Sequence, residues 1–368
     1  MCLKTKSIKQ LMNSIKIITS FVLITLIHFN LSAQEDEVKS EIKISGYIDT
    51  YYTYDYNKPS NHDRQYTNMA ARHDEFNINH AYIMGEYEDS KFRGVLGLQT
   101  GTYVDFNYAA EPSDASKLIY KAYAGVKLSE KVWVDAGMFG GHTGYEAVES
   151  INNEIYSRAL ATEYTPYYET GVRLTAELSE KITLTGVILN GWQNIAETND
   201  TKSFGMNINF KASEDLELNY GNYFGDEGNG FIGSRYRYFH HAYVRYQFSD
   251  KFHSMLSMDF GSQEQSVGKE NFYFLTFISQ YKISDKVSLA MRFEKVDDEF
   301  QILLPTSPAS FGGFVGEVYT FNINYHINEN AMFRVEARFF DTDNDIFTEG
   351  DVVESNNEVL STSLAIKF

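Results

Sequence analysis

The feature that most restricts what this chain can become is a hydrophobic period of two, sustained along most of its length. Between Ala331 and Phe339 the apolar residues Ala331, Phe333, Val335, Ala337 and Phe339 alternate with the charged Arg334, Glu336 and Arg338. Val287, Leu289, Met291 and Phe293 alternate with Ser288, Ala290, Arg292 and Glu294, and Tyr319, Phe321, Ile323, Tyr325 and Ile327 with Thr320, Asn322, Asn324 and His326. Successive strand side chains point to opposite faces, so each run predicts a strand with one apolar and one wet face. A helical fold is excluded over these stretches.

The punctuation recurs too. Asp89-Ser90-Lys91, Ser129-Glu130-Lys131, Ser179-Glu180-Lys181, Ser213-Glu214-Asp215, Ser249-Asp250-Lys251, Ser284-Asp285-Lys286 and Asn328-Glu329-Asn330 are short polar turns of nearly constant chemistry. Between them the chain runs out, crosses a longer polar stretch and runs back. These seven turns join fourteen strands; an initial strand from about Glu41 and a last one ending at Phe368 make sixteen. An even strand number, short turns at one end and longer loops at the other describe a transmembrane antiparallel up-and-down β-barrel with short periplasmic turns. A solenoid or propeller would repeat a sequence unit of fixed length, whereas here the spacing varies and only the turns recur.

Export supports this reading. Lys4, Lys6, Lys9 and Lys16 precede a short apolar run from Ile17 to Leu31 that ends at Leu31-Ser32-Ala33, the order of a signal peptide over residues 1–33. Residues 34–40 read as a polar N-terminal segment, and 41–368 as a single barrel domain. No later stretch has the roughly 18 uncharged apolar residues of a membrane helix. Loss of the leader removes four Lys and no acids, making the net charge of −18 more negative, and removes Cys2, the only cysteine. A nucleic-acid partner is excluded by that charge, and disulfides and thiolate metal sites by the missing sulfur.

Aromatic residues crowd the strand ends, as at Tyr51-Tyr52, Tyr54, Tyr56, Tyr167-Tyr168, Tyr236, Tyr238 and Phe239, which suits girdles at the two water interfaces. The final strand alternates through Leu360, Thr362, Leu364, Ile366 and Phe368. Its terminal aromatic is similar to the signal by which outer-membrane barrels engage the assembly machinery. The expected setting is the outer membrane of a Gram-negative bacterium, in contact with lipid and lipopolysaccharide.

A barrel of about sixteen strands is too wide for side chains to fill, so a water-filled lumen is expected. The third external loop, Gly140 to about Pro166, is the longest and carries Glu146, Glu149, Glu154 and Arg158. Two readings stand for it: an inward fold that narrows the pore, or a cap on the outside. By alternation the inward wall holds Arg173, Arg235, Arg237, Arg245, Arg292, Arg334 and Arg338, but also Asp49, Asp135, Glu169, Glu177, Glu217, Asp259, Glu294 and Glu336. Loop acids against wall arginines would set a transverse field and tune ion preference; alternatively the charges pair across strands. Inward Tyr47, Tyr51, Tyr123, Tyr223, Phe239 and Tyr243 offer some stacking surface for sugars.

Catalytic and metal chemistry finds little support. Asp341-Thr342-Asp343-Asn344-Asp345 opens like a calcium loop, but Ile346 stands where Gly is needed and Val352 where Glu is needed. His80, His142, His240, His241 and His253 are scattered. No metal, cofactor or enzymatic activity is expected, although a Ser and His pair on adjacent strands is not excluded by spacing.

Several segments carry a resemblance. Gly46-Tyr47-Ile48-Asp49-Thr50-Tyr51-Tyr52, Phe76-Asn77-Ile78-Asn79-His80-Ala81, Ala136-Gly137-Met138-Phe139, Gly144-Tyr145-Glu146, Pro166-Tyr167-Tyr168-Glu169-Thr170-Gly171-Val172 and Asn190-Gly191-Trp192-Gln193, in that order, resemble the OmpL-like β-barrel porin family common in Bacteroidota. The resemblance implies an outer-membrane porin and brings no substrate or catalytic residue; with the expected lumen and its mixed charges, the expected function is passive, weakly selective diffusion of small hydrophilic solutes. A dedicated oligosaccharide or anion channel is the alternative. Similarity to general porins would further imply a homotrimer.

Overall fold

The computed structural model describes residues 41–228, 233–266, 268–306, 312–349 and 352–368. The expected leader and polar segment lie outside the described residues. Among those described, sixteen strands form one closed antiparallel barrel, each paired with its neighbours in sequence. They are β1 (Lys43–Asp55), β2 (Phe76–Glu88), β3 (Phe92–Thr100), β4 (Ile119–Ser129), β5 (Val132–Gly140), β6 (Tyr168–Ser179), β7 (Ile182–Leu189), β8 (Ser203–Lys211), β9 (Leu216–Asp226), β10 (Tyr236–Ser249), β11 (Phe252–Gln265), β12 (Gly268–Lys282), β13 (Val287–Asp298), β14 (Phe314–Asn328), β15 (Ala331–Thr342) and β18 (Asn356–Lys367). A small hairpin, β16 (Phe347–Glu349) and β17 (Val352–Glu354), sits in the eighth loop.

The seven short turns fall where the sequence places them, and their chemistry has a reason. In each, the first residue is Ser, Asp or Asn, and its side-chain oxygen accepts the backbone N–H two residues on. Lys91 N–H bonds Asp89 Oδ1 at 2.7 Å, Asn330 N–H bonds Asn328 Oδ1 at 2.8 Å, and Lys131, Lys181, Asp215, Lys251 and Lys286 bond their serines at 3.2–3.5 Å. A side chain that closes its own turn makes a tight reversal possible without a neighbour's help. The sixth external connection departs from the expected pattern: β11 and β12 pair out to Gln265↔Gly268, so it is as short as the turns at the opposite end.

Alternation gives this barrel an inverted surface. Leu289, Met291, Phe321, Ile323 and Leu364 are exposed on the outside, while Asp259, Arg292, Glu294, Asn322, Arg334 and Glu336 are buried within. Hydrocarbon cannot satisfy a free strand edge, so the sheet must close. Closure is made by β1 and β18, with Tyr47↔Lys367 through Asp55↔Val359 in register. Beyond the last strand Phe368 continues the ladder: its N–H bonds Gly46 O at 3.0 Å and its carbonyl accepts Gly46 N–H at 2.8 Å. The Phe368 ring lies across Gly46 so closely that a Cβ there would come within 2.4 Å of it. The Gly46→Val variant therefore has to push the ring aside and loosen the seam. The expected result is a lower temperature for loss of the compact, heat-modifiable band on gels, with the same oligomeric state.

Candidate functional site

The third loop enters the barrel. Its two arms meet at a neck where Gly141 passes Pro166 so tightly that a Cβ on Gly141 would lie 1.9 Å from the Pro166 carbonyl oxygen; the glycine is required by that approach. Past the neck the loop makes a short 3-10 turn at Ser150–Asn152 and a helical turn at Leu160–Glu163, and Ile155, Tyr156, Arg158, Ala159 and Leu160 are buried.

Wall side chains hold it there. Arg334 donates to the carbonyls of Ser150 and Asn153, both at 2.5 Å, and Arg292 to the Ser157 carbonyl at 2.6 Å and hydroxyl at 3.0 Å. Glu336 accepts from Ser157 N–H at 2.7 Å, Glu294 from Leu160 N–H at 2.5 Å, and Asn324 donates to Glu154 O at 2.9 Å. A loop folded into a barrel leaves backbone groups that need partners, and charged inward residues of β13–β15 supply them.

The loop's own charges are likewise engaged. Glu146 accepts from Ala159 N–H at 2.8 Å and from the Thr162 hydroxyl, and lies 3.4 Å from Arg292; burial raises its pKa against the pull of Arg292. Glu149 accepts from Tyr120 at 2.7 Å. Burial works to raise Glu154 also, but His253 at 3.1 Å and Arg245 at 3.7 Å outweigh it and hold the pKa below its usual value. Arg158 is paired with Glu163 at 2.7 Å and lies over the Tyr167 ring. Acids and arginines thus touch across the seat of the loop, with Arg338 on Glu294 at 3.1 Å.

The remaining wall residues are dispersed. Asp49 is buried and accepts from Asn79 at 2.9 Å; Glu169 pairs with His142 at 2.6 Å. Arg245 lies 3.9 Å from Glu217. Arg237 is buried, bonded to Gln263 at 2.6 Å and stacked over Trp192. Arg235 lies just before β10, at the loop end of the barrel, and bonds Gln265 and Ser266.

Toward the long-loop end the interior is apolar. Inward Phe239, Phe272, Phe274, Phe314, Val318 and Phe340 pack with Tyr66, Leu160, Trp192, Leu304 and Phe347 from five different loops. Loops fill a space that side chains of the wall alone would leave open, which corrects the expectation of a simple water-filled cylinder. The girdle reading also divides by parity: Tyr236 and Tyr238 face out, whereas Phe239 and Tyr51 face in and are buried.

Water reaches the other side of the lumen. Along β3–β9, the inward Arg93, Tyr123, Arg173, Thr175, Thr185, Asn207, Asn209, Glu217 and Asn219 are partly exposed, whereas the corresponding positions of β11–β15 are covered by the third loop. A cleft of about 220 Å³ runs between the loop and this side, bordered by Tyr120, Lys121, Gly144, Glu149 and Pro166. A recess of about 350 Å³ at the long-loop end is bordered by Asn68, Tyr164, Trp192, Gln193 and Pro305. No cluster of metal-ligating side chains occurs among the described residues, and none of their helices is long and apolar enough to cross a membrane.

Comparison with known proteins gives a consistent picture. Residues 41–368 match the family described as "Putative beta-barrel porin-2, OmpL-like". No curated protein sequence matches. Among solved structures, OmpT of Vibrio cholerae superimposes with a TM-score of 0.57 at 11% identity, covering 89% of this chain and 98% of that one. OmpF of Salmonella typhi, in complex with daunomycin, gives 0.58 at 13% identity over 89% and 98%, and a mutant of Rh. blastica porin 0.56 at 12% over 89% and 100%. At these identities the likeness is one of fold.

Proposed function

The chain belongs to the OmpL-like family of β-barrel porins, and from that premise we propose that it is an outer-membrane channel passing small hydrophilic solutes passively beside its third loop. The observation that carries this reading is the asymmetry of the lumen: one side is sealed by the loop, while the β3–β9 side keeps polar, partly exposed side chains along its short-turn half. Polar groups left open to water inside a membrane barrel suit solute passage. Reconstitution of the folded chain into a planar bilayer tests it. Discrete conductance steps in KCl are the expected result; a folded barrel without steps overturns the channel.

A solute-selective uptake channel is the second reading, favoured by the loops that fill the wide interior. Saturable block by one solute class would favour it over nonspecific diffusion. An enzymatic role is not proposed. Ser257 and His241 converge only through Asp259, each bonded to that carboxylate, at 3.0 and 2.6 Å. A nucleophile needs contact with its base, and no such bond joins Ser257 to His241 among those described. Lipid and lipopolysaccharide around the barrel, the assembly machinery acting on Phe368, and a homotrimer belong to the same proposal.

A further inference from the structure

We propose that Arg93 and Arg173, held on the single carboxylate of Asp135, form a binding site for small oxyanions in the short-turn half of the lumen. The inference deepens the channel reading, and rests on it, by naming a preferred class of solute. The three residues lie at one level of the wall, because consecutive pairings Arg93↔Gly125, Gly125↔Asp135 and Asp135↔Arg173 align β3, β4, β5 and β6. Arg93 grips Asp135 with two bonds of 2.7 Å, and Arg173 adds two of 3.1 and 2.9 Å. Gly125 makes this reach possible: a Cβ there would stand 2.2 Å from Asp135 Oδ1 and 3.1 Å from Arg93 Cγ.

Two guanidinium groups share one carboxylate, so the cluster retains a positive charge. Its arrangement decides which partner meets it. The Asp135 side chain is 0% exposed, while those of Arg93 and Arg173 are 18% and 19% exposed, so a solute meets guanidinium edges and not the acid. Each guanidinium keeps a terminal amino group outside its Asp135 contacts. Planar forked donors match carboxylate and phosphate oxygens. The Trp133 ring lies 4.4 Å from the Arg93 guanidinium and the Phe139 ring 4.5 Å from that of Arg173, which fixes both planes before an anion arrives. Ordering completed in advance need not be supplied by the ligand.

The other arginines of the wall are not placed for this. Arg292, Arg334 and Arg338 are buried beneath the third loop, Arg237 is buried against Gln263, and Arg245, though 31% exposed, stands between the acids Glu154 and Glu217 at 3.7 and 3.9 Å. Two acids do approach the cluster. Glu88 is 4.0 Å from Arg93 but its side chain is 62% exposed, and Glu130 answers Lys127, whose amine lies 5.9 Å from the Trp133 ring. Both acids stand in solvent at the turn end, where salt screens them.

Inorganic phosphate is the probe. The folded full-length chain, in a detergent without phosphate, is titrated while phosphorus-31 line widths are followed, and the same protein is measured in bilayers under a KCl gradient. The wild type is expected to broaden the phosphate line saturably in the millimolar range and to favour chloride over potassium. Combined Arg93→Gln and Arg173→Gln substitution is expected to weaken phosphate binding at least tenfold and to cut the chloride preference. Unchanged binding in that variant, or none in the wild type, overturns the site even if the channel conducts; binding without any conductance sustains the site and defeats the channel. Should the double variant not fold, combined Arg93→Lys and Arg173→Lys substitution keeps both charges and loses the forks. Phosphate binding as strong as wild type in that variant would also overturn the proposal.

Discussion

Excising the inner part of the third loop will raise the unitary conductance several-fold while leaving the barrel closed. The change is residues 146–163 replaced by a short Gly-Ser linker, which the geometry permits because the arms already touch at Gly141 and Pro166. Two barriers are relieved at once. The loop covers the inward faces of β11–β15, and its Leu160 and Ala161 belong to the apolar cluster toward the long-loop end. A graded version follows from the tethers. Arg334→Ala leaves the Asn153 carbonyl without its donor and the Ser150 carbonyl with the Asn153 N–H alone, at about 1–3 kcal/mol for the buried group left unsatisfied. That is enough to make the seated loop exchange with a released state, so the variant is expected to show flickering between two current levels. Conductance in the excised variant equal to that of the wild type would mean that ions never pass the loop.

Much of this molecule is legible in the sequence, and the boundary between what is legible and what is not is physical. Strand positions, closure and the seven turns depend on local patterns: a period of two, and side chains such as Ser129 or Asp89 that cap their own reversal. Polarity of the inward face is local too. Occupancy of the lumen is not, because it depends on where loops go after they leave the rim. Arg292 and Arg334 look alike in sequence whether they face water or a loop backbone; only the fold assigns them to the carbonyls of Ser157, Ser150 and Asn153. A signal was nevertheless present for the apolar filling. Phe239, Phe272, Phe274, Phe314 and Phe340 occupy inward positions toward the loop ends of their strands, where a water-filled pore would carry polar residues. Arg93 illustrates the opposite case. Its partner Asp135 lies 42 residues away and is reached only across a glycine in the intervening strand.

Charging the apolar cluster will open the outer route without touching the wall. Leu304 is fully buried among loop and wall side chains in that cluster. Leu304→Glu places a carboxylate where no water reaches, and burying an unpaired charge costs far more than loop contacts can supply. Strands are fixed by continuous ladders, whereas the seventh loop is held by local bonds, chiefly Asp298 accepting from the N–H groups of Ile302, Leu303 and Leu304 at 2.7–2.8 Å. The least costly response is for the loop to swing outward and hydrate the new charge. Liposomes containing the variant are expected to swell several-fold faster in a small sugar than those with wild-type protein, with unchanged β-sheet circular dichroism. Passage through the outer cluster and past the third loop is resistance in series, so relieving one barrier speeds transport only in proportion to its share. Combining Leu304→Glu with the third-loop excision separates them: if the excised variant gains nothing further from Leu304→Glu, loss of Leu160 and Ala161 had already opened the outer cluster; if swelling rises again, the outer cluster limits flux on its own. An unchanged rate in both backgrounds would show that solute enters without crossing this cluster.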